Sequence, residues 1–362
     1  MKIAFVYDRI NKLGGAEKIL LALHQAYPQA PFYTAVYNPG SAPWAKALKI
    51  KASFLNHFPL AKTHHELYPW LASMAFESFN FDKFDVVVSV TSAEAKAIIT
   101  QPRTLHLCYC LTPTRYLWSH RRQYTHDPVL GRFLRCWLPY LQQVDLINAC
   151  RPDVYAAISK TVQQRIKKYY HQNSIVIYPP VDTTKFSYQP AQDYFLLVSR
   201  LVPYKNIDIA IKAFNRLQKK LIIVGSGRQE SRLKQLAGPT IKFKGLVTDQ
   251  ELAELYQHCQ ALIMPQEEDF GIVSLEAQAS GKPVIALQSG GAVETIINHQ
   301  TGILFKQPAV DSLVSSVKQF NSRSWDQAFI QAQAKKFDRR IFIKNFTNLL
   351  EAKWQNHQKN FP

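Results

Sequence analysis

Apolar and polar positions alternate along this chain in one rhythm from end to end. Short apolar runs, rich in Val, Ile, Leu and aromatic residues, read as buried strands over Lys2–Tyr7, Asp85–Val90, Leu105–Cys110, Val154–Ser159 and Ile175–Tyr178. Between them the apolar positions recur at helical spacing. Gly14–Tyr27 reads as a helix, Ser92–Thr100 as a short one, and Lys160–Tyr170 as an amphipathic, basic one. A second series follows Pro190. Its strands are Tyr194–Ser199, Leu221–Val224, Ile241–Phe243, Ala261–Met264 and Pro283–Leu287. Its helices are Ile207–Leu217, Gln229–Leu236, Asp249–Cys259, Val273–Ala279 and Val293–Asn298.

Strands that alternate with helices build βαβ units and parallel sheets. Two such series, joined by a Pro-containing link near Tyr178–Pro190, predict an α/β chain of two doubly wound, Rossmann-like domains that face each other. The expected bounds are 1–185 for the first domain and 186–338 for the second. The tail from 339 carries Ile341, Phe342, Phe346, Leu349, Leu350 and Trp354 at helical spacing. It is expected to form a C-terminal helix that packs back on the first domain. Ligands of such sheets bind beyond the carboxyl ends of the strands, so the cleft between the domains is the expected site.

Composition narrows the class. The 362 residues are 47% hydrophobic, which excludes a mostly disordered chain. The longest apolar run, Leu67–Phe76, is too short to span a bilayer and contains Pro69 and Ser73. The first strand meets Lys2 and Asp8 too early for a signal peptide. Five Cys in a chain of this length make no disulfide framework, so a reducing, cytoplasmic setting is expected. Cys108 and Cys110 are spaced for a strand and not for a metal.

Charge changes the picture most. The chain has 44 Lys+Arg against 26 Asp+Glu, a formal +18. Residues 101–170 hold 11 of the cations and 3 of the acids, a net +8. A basic surface calls for an anionic partner: nucleic acid, acidic lipid or a phosphorylated small molecule. No helix-turn-helix, zinc-finger or RNP1 pattern favours nucleic acid. Neither GxGxxG after the first strand nor a P-loop occurs, which argues against a dinucleotide oxidoreductase or P-loop NTPase. No Asp-x-Asp, HExxH or GxSxG occurs either, so a metal-bound nucleotide, a zinc protease and a serine hydrolase lack their usual residues.

The densest chemistry lies in Glu267-Glu268-Asp269-Phe270-Gly271-Ile272-Val273-Ser274-Leu275-Glu276. Three acids follow a strand, and a Gly then lets backbone approach a ligand. Carboxylates accept paired hydrogen bonds from vicinal sugar or ribose hydroxyls, and amides at a helix start suit a phosphate. An acidic start that merely complements the helix dipole is the plain alternative. For Arg200 and Lys205 that alternative is a solvated pair of loop cations, and for Gly14 and Gly15 a simple turn.

With Ala277–Ala286 after it, this segment resembles the E-x7-E signature of retaining GT-B-fold glycosyltransferases of family 4. Ser199–Asn206 is similar to that family's diphosphate loop. Val224–Gly227 and Phe243–Val247 resemble its nucleotide-side loops, and Gly14–Glu17 the glycine-rich loop of its first domain. Cys108–Trp118, Arg151–Asp153, Ile158–Lys160 and Ile177–Asp182 narrow the likeness to bacterial mannosyltransferases that build O-antigen and exopolysaccharide. The resemblance implies transfer of a hexose, foremost mannose from GDP-mannose, to a lipid-linked saccharide, with no cofactor and no metal. It places the enzyme at the inner face of the bacterial plasma membrane.

By the same resemblance, Glu268 holds donor-sugar hydroxyls and Glu276 the ribose. Phe270, Gly271, Ile272 and Val273 offer amides to sugar and phosphate. Arg200 and Lys205 neutralise the diphosphate. Two cations there would stabilise a leaving group that gains negative charge. Arg200, a planar fork, should be the less replaceable. Gly225, Val247 and Thr248 line the nucleotide side. Gly14 and Gly15 let the first domain close on the diphosphate. Attack would come from the same face as the leaving phosphate, with no covalent carboxylate. Leu111 departs from the pattern, because relatives often carry a His near that strand end; His106 is a doubtful substitute. His64-His65 is expected at the surface, with an acceptor phosphate contact as the other reading.

The basic stretch interleaves Arg121, Arg122, Arg132, Arg135, Arg165, Lys167 and Lys168 with Leu130, Phe133, Leu134, Trp137, Leu138, Tyr140 and Leu141. Cations beside apolar anchors suit an anionic membrane surface. The other reading buries the apolar residues in the core. Three functions compete with GDP-mannose transfer: a UDP-sugar transferase, a nucleotide-sugar isomerase and a non-catalytic nucleotide-sugar binder.

Overall fold

The computed structural model describes residues 1–64, 67–119, 121, 131–321 and 323–360, with the side chains of 131–134 left out. The chain divides into two compact units: Met1–Tyr178 with Phe342–Pro362, and Pro179–Ile341. The division thus falls a few residues before the expected 185, at the Pro179-Pro180 step. At the other end the chain leaves the second unit after Ile341.

In chain order unit 1 begins with β1 (Ile3–Ile10), α1 (Gly15–Ala26), β2 (Phe32–Tyr37), β3 (Ile50–Ala52), α2 (Pro69–Glu77), β4 (Val86–Thr91) and β5 (Leu105–Cys110). It continues with α3 (Gly131–Ala149), β6 (Val154–Ala157), α4 (Lys160–Tyr170) and β7 (Ser174–Val176). Its sheet runs β3-β2-β1-β4-β5-β6-β7, every neighbour parallel. Central strands β1, β4 and β5 are buried along nearly their whole length, as continuous apolar runs require.

Unit 2 comprises β8 (Phe195–Val198), α5 (Ile207–Leu217), β9 (Leu221–Val224), α6 (Glu230–Leu236), β10 (Ile241–Gly245), α7 (Asp249–His258) and β11 (Leu262–Met264). After these come α8 (Ile272–Ala279), β12 (Val284–Leu287), α9 (Ala292–Thr295), β13 (Gly302–Phe305), α10 (Val310–Asn321) and α11 (Gln327–Lys335). Its sheet is also wholly parallel, in the order β10-β9-β8-β11-β12-β13. Helix α5 shows why the periodicity was readable: Ile207, Ala210, Ile211 and Phe214 fall on one buried stripe against the β8 and β9 side chains.

In both sheets the strand order reverses at the first strand. A ligand crevice opens at such a switch point, beyond the strand ends. It lies between β1 and β4 in unit 1, and between β8 and β11 in unit 2.

Two expectations need correction. Ser92–Thr100 is no α-helix but a single tight turn at Ala95–Ala97. The buried Asp8 carboxylate takes the amides of Ser92 at 2.8 Å and Ala95 at 2.9 Å, together with the Thr91 hydroxyl at 2.7 Å. Those amides are what a helix start would otherwise leave open. The helix expected over Val293–Asn298 is the single turn of α9, closed when the Ile296 amide bonds Ala292.

The final helix, α12 (Arg339–Asn360), buries Phe342, Phe346 and Leu350. Tyr109 of β5 meets both phenylalanine rings, at 5.9 and 5.8 Å between centroids. Ile341, expected on the apolar stripe, is exposed instead.

Candidate active site

On each side of unit 2's switch point, the loops at the carboxyl edge of the strands are stitched together by main chain. The Ser199 amide bonds Val224 O at 3.0 Å, Leu201 N bonds Ser226 O at 2.9 Å, and Gly225 N bonds Gly245 O at 2.8 Å. Gly225 has φ +128°, and a Cβ on it would lie 2.0 Å from Ser199 O. Only glycine allows the loops after β8 and β9 to meet so closely. On the far side of the switch point, Gly291 N bonds Glu268 O at 2.8 Å.

Lys205 and Glu268 close the crevice between β8 and β11. The buried Lys205 ammonium donates to Glu268 Oε1, and Gln266 Nε2 donates to the same oxygen at 2.9 Å. Asn206, in the left-handed region at φ 52°, starts α5 and sends its amide to Pro265 O at 3.3 Å. Thus β8 and β11 are linked through side chains on both sides of the switch point. Arg200 stands four residues before Tyr204 and donates to its hydroxyl. The Tyr204 ring also carries the Lys205 ammonium 5.3 Å from its centroid, so one aromatic face lies beside both cations.

Glu276 is on the buried face of α8, and its Oε2 accepts from the Tyr256 hydroxyl at 2.9 Å. Burial, and then the Glu276 charge, push the Tyr256 phenol well above its ordinary range, so it stays a donor at any working pH. Gly271, at φ 87°, is the N-cap of α8, and no side chain caps that helix start. The helix's first amides therefore face outward from the helix end as donors for an anion or hydroxyl. Phe270 is buried against Phe337 at 5.8 Å, so it contributes main chain and packing and not an exposed ring. Ile272 is partly exposed, and Val273 packs on the core.

The nucleotide-side expectations are only partly met by side chains. Thr248 caps α7, accepting the Glu251 amide at 3.2 Å, which engages its hydroxyl. Val247 packs on the core cluster around Tyr256, while Leu246 beside it is 80% exposed. The apolar surface offered by this loop is Leu246, which the sequence reading did not single out. Its signal was available: an apolar residue directly after a glycine at the end of a strand, and Gly245 does take φ 68°.

In unit 1, Gly14 precedes α1 in extended conformation, and Gly15 opens the helix. Glu17 is buried and accepts from Tyr7 at 2.8 Å. Burial raises the Glu17 carboxyl above its usual range, and the Tyr7 bond opposes that rise only in part. Arg9 and Glu94 pair at 3.0 Å across the β1–β4 switch point, and Tyr116 donates to the same carboxylate at 2.8 Å. Sequence reasoning missed this cluster because its members are isolated single residues. Leu111 is buried at the end of β5; His106 is wholly buried and bonded to Ser89 at 2.8 Å. His64 is exposed and meets Thr63 at 2.9 Å; His65 lies outside the described residues.

The basic stretch divides between core and surface. Leu138 and Leu141 are buried with Leu117, while Trp137 and Tyr140 are 44% and 52% exposed. Arg121 and Arg135 are exposed; Arg122 and Leu130, and the side chains of Arg132, Phe133 and Leu134, lie outside the described residues. Arg165 is turned toward Thr112 at 3.5 Å.

Two parallel, doubly wound units of this kind define the GT-B fold class. Residues 182–337 match the family model "Glycosyl transferases group 1", so unit 2 is a domain of that family. A GDP-mannose-dependent monoacylated alpha-(1-6)-phosphatidylinositol monomannoside mannosyltransferase of Corynebacterium glutamicum is 40% identical over 131 residues, 32% of this chain and 34% of that protein. The alpha-1,3/1,6-mannosyltransferase ALG2 of Candida glabrata is 24% identical over 92% of this chain and 85% of its own length. The first of these and two further relatives are spanned over about a third to a half of their length, 34–51%. Among solved structures, Anabaena Alr3699/HepE in complex with UDP superposes with a TM-score of 0.74 at 19% identity, covering 97% of this chain and all of that one. Sucrose-phosphate synthase from Thermosynechococcus elongatus gives 0.74 at 15%, over 98% and 100%.

Proposed function

We propose that the protein is a retaining glycosyltransferase that moves mannose from GDP-mannose to a lipid-linked saccharide acceptor. One observation carries the reading: Lys205 and Glu268 meet at the switch point of unit 2, with the open start of α8 beside them. A carboxylate already held by a cation is poised to accept sugar hydroxyls. Arg200 and Lys205 supply the positive charge that a departing nucleoside diphosphate needs, in the role a divalent cation fills elsewhere. Glu276, held by Tyr256, is the ribose carboxylate. Amides of 270–273 receive phosphate and sugar oxygens. The GDP-mannose dependence of the Corynebacterium relative favours guanine and mannose over uracil and glucose.

For a lipid-linked acceptor, support comes from the surface of unit 1. Exposed Trp70 and Met74 of α2, with Tyr140 of α3, stand at 43, 54 and 52% exposure, and Trp70 and Tyr140 line one shallow pocket. Exposed Arg121 and Arg135 add positive charge to this unit. Among the described residues no helix is long and apolar enough to cross a membrane.

A donor screen tests the proposal. Purified protein is incubated with a lipid-linked saccharide fraction as acceptor and with GDP-mannose, UDP-glucose or UDP-N-acetylglucosamine in turn, and nucleotide release and thermal protection are recorded. GDP should raise the melting temperature and UDP should not, in line with selective binding to the folded state. GDP-mannose alone should release nucleotide, and Glu268→Ala should abolish that release. Protection by UDP alone overturns the mannose reading. Turnover unaffected by Glu268→Ala overturns the assigned site.

A further inference from the structure

Gln266 is the least expected residue of the site. It sits between Pro265 and Glu267, directly after β11, and is 1% exposed. Its Nε2 donates to Glu268 Oε1 at 2.9 Å, while its Oε1 is buried with no hydrogen-bond partner. An unpaired buried acceptor costs stability. An apolar side chain of similar length would fill the space without that cost, so packing alone does not account for a glutamine.

Glu268 itself is held from three directions. Its main chain pairs with Gly290, where a Cβ would stand 2.1 Å from Glu268 O, and its carbonyl accepts from Gly291. Its carboxylate takes both Lys205 and Gln266 on Oε1. Among the described residues no donor meets Oε2, which leaves that oxygen as the acceptor for a ligand hydroxyl. An ammonium is a point charge and leaves the carboxylate free to swivel about it. A planar amide, anchored in a buried site, adds a second fixed direction. Two donors on one oxygen define where the other oxygen stands.

We propose that Gln266 is a positioning residue that sets donor-sugar specificity: its amide orients the Glu268 carboxylate so that Oε2 meets the sugar hydroxyls. This rests on Glu268 being the donor-sugar carboxylate. The residue acts through Glu268 and does not contact the nucleotide. Its loss should therefore cut affinity for the sugar part alone, and should leave the fold intact or firmer, since the orphan acceptor goes with it.

The experiment compares binding of GDP-mannose and of GDP by calorimetry, for wild type, Gln266→Met and Gln266→Glu, with melting temperatures alongside. In wild type, GDP-mannose should bind more tightly than GDP. In Gln266→Met that difference should shrink by about tenfold, the worth of one hydrogen bond to a charged group, with GDP affinity unchanged and melting at or above wild type. In Gln266→Glu the side chain can donate only when protonated, so the sugar's contribution should be lost at pH 8 and recover as pH falls, a response that wild type does not show. A wild-type difference that both variants keep at every pH overturns the proposal and leaves the donor-site reading standing. Lower melting with equal losses for GDP and GDP-mannose also overturns it, by showing a structural role. No difference between GDP-mannose and GDP in wild type overturns both readings.

Discussion

His106 shows how a single residue's surroundings set its chemistry. It lies within β5 against Ser89, wholly buried, and burial, with Arg151 adding to it, pushes its imidazole down to about 3 from an ordinary 6.5. It therefore stays neutral in the folded chain at neutral pH. The sign of its effect on stability follows. Below pH 6.5 the unfolded chain binds a proton that the folded chain refuses until near pH 3, so stability falls through that window as pH drops. The slope from this one group is about 1.4 kcal/mol per pH unit. Urea midpoints at pH 7, 5.5 and 4.5 should converge for wild type and His106→Gln as the pH falls, because the variant lacks this loss. Parallel midpoints would show that another group governs the acid limb. The site carboxylates and cations were legible as residue types at family spacing. Gln266 was not, because a neutral amide beside two glutamates carries no chemical signal until its neighbours in space are known. The local roles of Thr248 and Val247 were not legible either, since a helix-capping hydroxyl and a valine packed on the core are set by neighbours in space.

Elements were readable where burial is one-sided and local. Strands β5 and β9 and helices α4 and α5 have the bounds that their apolar periodicity predicts. Strand β2 (Phe32–Tyr37) and helices α10 and α11 were not assigned. In β2 polar Thr34 is buried by a hydrogen bond to Val36 O, which breaks any simple alternation of burial with polarity. The Ser92–Thr100 departure has a longer range: Ala93–Ala97 is helix-forming by composition, but its one turn is held by Asp8, more than eighty residues away, and the chain is already extended at Ile98. The same reasoning yields a prediction at the glycines that end β9 and β10. Gly225 and Gly245 both have positive φ, at 128° and 68°. A Cβ on Gly245 meets nothing within 4 Å, whereas one on Gly225 strikes Ser199 O. Gly245→Ala should cost about 1 kcal/mol, the strain of the backbone alone. Gly225→Ala should cost about 3 kcal/mol or more and, by displacing the loop that bears Arg200, weaken GDP binding as well. Scanning calorimetry of the two variants, with GDP titrations, separates them; equal costs would mean that the β8–β9 loop contact is soft.

At the scale of the molecule, the +18 charge needs more than one destination. In the proposed donor site, Arg200 and Lys205 would meet a diphosphate's share within unit 2. In unit 1 the 101–170 stretch has a net +8, and one of its three acids, Asp145, is engaged by a cation outside it. Lys96 pairs with Asp145 at 2.5 Å, and Asp145 also accepts from Trp118 at 2.7 Å, which ties α3 to the turn after β4. Burial opposes the Lys96 charge, and Asp145 outweighs it, so the ammonium is held above its usual range. Helix α3 is thereby anchored with Leu138 and Leu141 inward and with Trp137 and Tyr140 outward. A peripheral membrane role predicts a two-part response. Binding to phosphatidylglycerol vesicles, followed by sedimentation, should exceed binding to phosphatidylcholine vesicles and should fall as salt rises, since a Debye length shrinks from ~10 Å at 0.1 M to ~3 Å at 1 M. Arg121→Glu with Arg135→Glu should remove the salt-sensitive part, at about 1 kcal/mol for each cation lost. Trp70→Ala with Tyr140→Ala should instead lower what remains at high salt, because interfacial aromatic burial is not screened. Equal binding to neutral and anionic vesicles, or charge reversal without effect, would detach the basic stretch from any membrane and return its cations to an ordinary solvated face.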